Sequence, residues 1–264
     1  TNASTTTMCS GDSINLPLTS NFTSNYTWIT SNNTNTTGED TTLQITDILT
    51  SVIANYTTSN QALTYTVIPT STFNGCTGTL QTVTVTVRPA PAMTSASADT
   101  VCSGSNLTIS FTSNISSSYT WIAANNTHTA GESTTLQTSS TFSNTITSDT
   151  SSIQIVTYTV TPTSTAGGCV GIQQTLNIAV LPLPAMNSAS VDTICSGGIV
   201  NIPLSSIVPS TYTWIASNNA NTTGENTTIQ TTSTLIDTIV NNTYSVQVVT
   251  YTICLLYTSD AADE

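Results

Sequence analysis

Six cysteines, one histidine and three glutamates that return at a fixed interval are the residues of this 264-residue chain with chemistry to offer. His128 is the sole histidine, and the positions 93 residues to either side hold Asn35 and Asn221. A Ser-His-Asp arrangement or a histidine metal site would therefore live in one copy only, and His128 reads as a solvated loop residue. Glu39, Glu132 and Glu225 each follow a glycine. Glycoside hydrolysis needs a second carboxylate at a set separation, and none recurs: Asp40 is replaced by Ser133 and Asn226, Asp47 by Ser140 and Ser233. The three glutamates are left with two readings. One is a weak Ca²⁺ site completed by Asn and backbone oxygens, since hard cations take oxygen ligands; the other is the capping of a turn. Trp28, Trp121 and Trp214 would stack on sugar rings if exposed, but each follows a tyrosine by two residues on the same strand face, which favours a core position. No catalytic residue and no cofactor is expected.

The elements that must position these residues follow from an internal repeat. Cys9-Ser10-Gly11 returns as Cys102-Ser103-Gly104 and Cys195-Ser196-Gly197, always at 93 residues. Tyr26-Thr27-Trp28-Ile29 returns at Tyr119 and Tyr212, and Thr64-Tyr65-Thr66-Val67 at Thr157 and Thr250. Pro69, Cys76 and Gly78 return once as Pro162, Cys169 and Gly171. A unit of this length is too long for a solenoid turn and close to one immunoglobulin-like sandwich. Within it the apolar period is two: Val83, Val85 and Val87 alternate with Thr82, Thr84 and Thr86, as in a half-buried strand. Asn-, Gly-, Ser- and Pro-rich clusters separate such runs. The expectation is all-β, with tandem sandwiches of about seven strands each. Arg88-Pro89-Ala90-Pro91 and Leu181-Pro182-Leu183-Pro184 mark the seams, because proline fixes φ and removes an amide donor. The domains are placed at 1–89, 90–182 and 183–253.

Composition removes several classes of function. Charged residues make up 5% of the chain, one Lys or Arg against thirteen acids, for a net charge of −12. A partner bound through its phosphates, nucleic acid above all, needs a basic face that this chain lacks. No apolar run reaches the roughly 18 to 20 residues of a membrane helix, so no membrane insertion is expected. Hydrophobic residues at 37% suffice for packed cores. The combination points to an extracellular β protein, with glycans or other neutral surface material as the partners it suits.

The order Cys-Ser-Gly, alternating strand, Tyr-Thr-Trp, Gly-Glu turn, Thr-Tyr-Thr-Val, Gly-Cys loop, alternating Thr-Val strand and Pro-containing linker resembles a bacterial PKD-like (polycystic kidney disease-like) repeat of Bacteroidetes-type surface proteins. The resemblance covers residues 1–253. It implies an immunoglobulin-like sandwich, tandem arrays, a cell-surface or secreted location, and a role as non-enzymatic spacer or adhesin. A carbohydrate-binding accessory module of a secreted hydrolase is the alternative. The last eleven residues, 254–264, leave the repeat and resemble a translated sequencing-library adaptor; they are read as a non-native tail.

Cys9 and Cys76 lie 67 residues apart, as do Cys102 and Cys169. One pair per repeat in a chain of this composition reads as one disulfide per domain, Cys9–Cys76 and Cys102–Cys169, with free buried thiols as the alternative. Cys195 is then unpaired by truncation, since its counterpart position holds Ala262. Each bond would contribute roughly 4 kcal/mol through chain entropy. In a plain immunoglobulin topology, however, these two positions lie at opposite ends of the sandwich. Metal-ligand spacing of two to four residues does not occur among the cysteines.

Overall fold

A computed structural model describes residues 5–257. Every regular element among them is a strand. The first repeat holds β1 (Thr5–Cys9), β2 (Ser13–Pro17), β3 (Ser24–Thr30), β4 (Thr36–Thr37), β5 (Ile48–Val52), β6 (Ala54–Asn55), β7 (Gln61–Ser71) and β8 (Gln81–Arg88). One sheet runs β1-β8-β7-β3, and the facing layer is built from β2-β5 and the two-residue pair β4-β6. β1 lies parallel to β8 along the sheet edge, while the β7 pairings to β8 and β3 are antiparallel.

The second repeat reproduces this order with β9 (Ala98–Cys102), β10 (Asn106–Ser110), β11 (Ser117–Ala123), β12 (Thr129–Ala130), β13 (Thr141–Thr145), β14 (Thr147–Ser148), β15 (Gln154–Ser164) and β16 (Gln174–Leu181). Its main sheet is β11-β15-β16-β9, again with a parallel edge strand. The third repeat shows β17 (Gly198–Pro203), β18 (Ser210–Ala216), β19 (Thr222–Thr223), β20 (Thr234–Asn241) and β21 (Tyr251–Tyr257). β21 pairs with β18 in the register that β15 keeps with β11. Residues 254–257 are therefore strand, matched to Ser210–Thr213, and the remainder of the 254–264 segment lies outside the described residues.

Each repeat has its own core, filled as the period-two pattern requires. Val83, Val85 and Val87 are buried with Tyr65, Val67, Leu49 and Trp28 in the first. Trp121 packs against Phe142 and Tyr158 in the second. Each such side chain contributes about 1.5–3 kcal/mol by leaving water. The third core is thinner: Trp214 and Leu235 are buried, but Tyr212, Tyr251 and Ile253 are only partly so. Counterparts of β9 and β16 are absent among its described residues, which leaves one side of that sheet uncovered.

The three tryptophans belong to these cores, each at most 3% exposed. Each indole N–H donates to a residue of the facing layer: Trp28 to Thr46 Oγ1 at 3.0 Å, Trp121 to Ser139 at 3.2 Å, Trp214 to Thr232 Oγ1 at 3.1 Å. Burial with the polar edge satisfied leaves no ring face for a sugar.

Candidate functional site

The Cys-Ser-Gly signature forms a corner at the end of the edge strand. Cys9 closes β1 opposite Arg88, the last residue of β8. Gly11 then turns the chain at φ +85°, a left-handed conformation that suits glycine. The corner is sewn down by two recurring bonds. Ser10 Oγ accepts from Asn55 N at 2.8 Å, as Ser103 Oγ does from Ser148 N and Ser196 Oγ from Asn241 N. Gly11 N donates to Ile53 O, as Gly104 N does to Ile146 O and Gly197 N to Ile239 O, all at 2.8 Å.

The Gly-Cys loop lies at the other end of the sheet, between β7 and β8. Ser71 N donates to Cys76 O at 2.9 Å and Gly75 N to Ser71 O at 3.0 Å; in the second repeat Ser164 N to Cys169 O and Gly168 N to Ser164 O repeat the pattern. Cys76 thus precedes the start of β8, whereas Cys9 pairs with its end. Eight strand residues separate those levels, about 26 Å at 3.3 Å per residue, far beyond the 4.4–6.8 Å that a disulfide spans between Cα atoms.

The expected pairs Cys9–Cys76 and Cys102–Cys169 are corrected on this ground. Cys9 bonds instead to Cys169, across the seam between the first and second repeats, with Cα atoms 5.5 Å apart. Cys76 and Cys102 are free and exposed, as are Cys195 and Cys254. The first and second sandwiches meet so that the corner of the first approaches the Gly-Cys loop of the second.

Two further contacts reinforce this junction. Arg88, the only Lys or Arg of the chain, extends Nη1 to Gly167 O at 3.5 Å. Pro91 passes over Gly171, where an added Cβ would collide with the Pro91 carbonyl oxygen. The linker then enters the second repeat: Asn114 N donates to Ala92 O at 3.0 Å and Ala92 N to Asn114 Oδ1 at 2.8 Å. Pro89 and Pro91 are buried, and Cys169 is 1% exposed. In the first repeat the equivalent place is an open groove lined by Ser20, Asn21, Phe22, Pro69, Cys76 and Gly78.

The three glutamates close a turn in this structure. Glu39 accepts from Thr36 Oγ1, Glu225 from Thr222 Oγ1, and Glu132 from Thr129 Oγ1 at 3.0 Å and Asn126 N at 3.3 Å. No group of three or more His, Cys, Asp or Glu suited to a metal occurs among the described residues. The preceding glycines have φ between +94° and +101°, and a Cβ there would strike the carbonyl oxygens of Val52, Thr145 and Thr238. His128 is exposed and pairs with Asp149 at 3.3 Å on the surface.

Sequence reasoning missed Asp237, which is 3% exposed. It accepts from Asn226 N at 3.0 Å, from the Asn226 side-chain amide, and from Tyr251 Oη at 2.9 Å. The same two positions hold Asp40 with Ser51 (2.7 Å) in the first repeat and Ser133 with Asn144 in the second. The signal was present as a pair of exchanging polar residues eleven apart, visible only by reading both positions together. The tyrosine above each pair, Tyr65, Tyr158 or Tyr251, has its phenol pushed above its ordinary value of 10.0, chiefly by burial. For Tyr251 the Asp237 carboxylate adds to the rise. Tyr65 Oη has the Ser51 and Thr30 hydroxyls beside it, yet no hydrogen bond of normal geometry.

The sequence matches the PKD-like domain family three times, over residues 6–91, 99–184 and 192–263. The chain belongs to that family. No curated protein matches the sequence. Several solved structures are similar to these PKD-like repeats. The I-band fragment I67–I69 of titin is 12% identical, with 97% of this chain and 91% of that chain covered at a TM-score of 0.36. The human desmocollin-1 ectodomain is 14% identical, with 89% and 52% covered at 0.29. The insect immune protein hemolin is 12% identical, with 96% and 74% covered at 0.31. These likenesses are too distant to carry an argument beyond the family match. The PKD-like family assignment and the strand topology together make this an all-β tandem array of immunoglobulin-like sandwiches.

Proposed function

We propose that this chain is a non-enzymatic segment of an extracellular array of PKD-like repeats, serving as a spacer stalk or adhesive stem. The observation that carries the reading is the covalent tie between neighbouring repeats, Cys9–Cys169. A bond placed across a linker limits bending between domains, which a mechanical spacer needs and a binding pocket or active site does not. A disulfide of this kind persists in oxidising surroundings outside the cytosol. The surface is hydrated by Thr, Ser and Asn rather than by charge, which suits contact with glycans or other neutral surface material.

Small-angle scattering on the full chain tests this. A compact globule of 264 residues would have a radius of gyration of about 18 Å. An end-to-end array is expected well above that, and a value near the compact one ends the proposal. Turnover of any substrate by the chain would also end it. The alternative, a carbohydrate-binding accessory module, draws on Phe22 and Phe73, which stand exposed beside the groove of the first repeat. Glycan-array binding that is lost in F73A would favour it.

A further inference from the structure

We propose that the open sheet edge of the third repeat is a strand-accepting surface. Its partner is an extended segment of another chain, with apolar side chains at alternate positions, laid antiparallel along Gln247–Ile253. This goes beyond the stalk reading and does not rest on it.

The edge is defined by what the same strand does in the second repeat. β15 pairs with β11 through Tyr158–Ser164 and with β16 through Gln154–Val160. Residues 154–157 therefore have β16 as their ladder partner. In the third repeat β21 keeps the first pairing, with Tyr251 opposite Ala216 as Tyr158 is opposite Ala123, and has no second one among the described residues. β15 begins at Gln154, whose counterpart is Gln247, but β21 begins only at Tyr251. The four residues that lack the ladder partner, 247–250, are the four that lack strand geometry.

Alternation fixes which backbone groups are open. Ser217 N donates to Thr250 O at 2.8 Å, on the side of β18. Successive strand residues aim their N–H and C=O groups at opposite neighbours, so those of Val249, Tyr251 and Ile253 face the open edge. Val156, Tyr158 and Val160 aim theirs at β16 in the same way. A row of unpaired groups of this kind is a template for an added strand.

The side chains say what fits. In the second repeat Val156, Tyr158 and Val160 are at most 1% exposed, and so are Leu176, Ile178 and Val180 of β16 beside them. The first repeat fills the same place with Val83, Val85 and Val87. In the third, Val249, Tyr251 and Ile253 are only partly buried. The missing piece is three Val-, Leu- or Ile-type side chains two residues apart on an antiparallel strand. The β15–β16 register sets Val180 opposite Gln247, Ile178 opposite Val249 and Leu176 opposite Tyr251. A folded β16 cannot be the donor, because both its edges are already paired with β15 and β9. The donor is a segment free of any sheet of its own.

The test uses the full chain and an acetylated, amidated peptide of residues 174–181, with amide hydrogen exchange as the readout. Exchange of the Val249, Tyr251 and Ile253 amides is expected to slow about ten-fold or more as the peptide is added. A peptide carrying L176T, I178T and V180T should give no such protection. V249P, which removes one N–H from the open edge and none from the β18 pairing, should weaken the effect of the unaltered peptide. Exchange that the peptide leaves unchanged overturns the proposal, as does equal protection by the Thr-substituted peptide or an undiminished effect in V249P. A chain that sediments as a dimer with these amides already protected would assign the edge to a second copy and also overturn it. Exchange at this edge does not depend on how the repeats are arranged, so failure here and failure of the stalk reading are separate results.

Discussion

Gly131 shows how much a single position in the repeat can demand. Its φ is +97° and a Cβ would meet the Thr145 carbonyl oxygen, so G131A suffers both backbone strain and a clash that only strand displacement relieves. Gly104 has φ +80° with open space around it, so G104A carries the conformational cost alone, about 1–2 kcal/mol. Thermal unfolding of the two variants should rank G131A as clearly the more damaging, and equal losses would refute the packing argument. The buried tyrosines give a pH dependence. Their phenols are raised in the folded state, so the neutral form is favoured there. The stability they contribute is fully present below pH 10, the unfolded value, and is lost as pH rises through the folded values. Titration of absorbance near 295 nm should show Tyr65 and Tyr158 ionising above pH 10, together with loss of tertiary signal. Ionisation of Tyr65 and Tyr158 at pH 10 in a chain that stays folded would contradict this.

At the scale of the element, the strands of the second repeat meet at one aromatic cluster. Phe142 on β13 is fully buried, 4.7 Å from the Tyr158 ring and 5.4 Å from Trp121. F142A would leave a cavity between the two layers and cost about 3–5 kcal/mol. In the reduced chain the loss should fall on the second repeat and leave the fluorescence transitions of the others in place, which W28F and W214F backgrounds can resolve. These strands were readable in advance from alternation alone: Val83, Val85 and Val87 face inward because a strand with one wet face sorts its residues at period two. The edge strand was less legible. Thr5 to Cys9 carries little alternation, and its parallel pairing with β8 is a non-local choice that no local pattern encodes.

For the whole molecule, the Cys9–Cys169 bond couples two repeats that would otherwise melt independently. A closed loop of 160 residues corresponds to roughly 5 kcal/mol of chain entropy, shared between the first and second repeats. Reduction, or C9A, should lower the transitions of those two repeats and leave the third unmoved; an unchanged melt after verified reduction would refute the tie. Pulled from its ends, the oxidised chain cannot extend the residues between Cys9 and Cys169. Reduction should therefore add roughly 550 Å of contour length, at about 3.5 Å per residue. An equal contour length in both states would show that the bond is not across the seam.

The repeat, the strand class and the inward tryptophans were determined by the sequence alone, because each depends on local or periodic properties: side-chain period and turn chemistry. Cysteine pairing was not of that kind. Spacing within a repeat joined Cys9 to Cys76 on paper, yet β8 holds those ends a strand length apart, while the linker brings the next repeat's loop to the corner. Which cysteines meet depends on how folded domains sit against one another, and a repeating sequence offers the same partner types at every period. Only the tertiary structure distinguishes the near one in sequence from the near one in space.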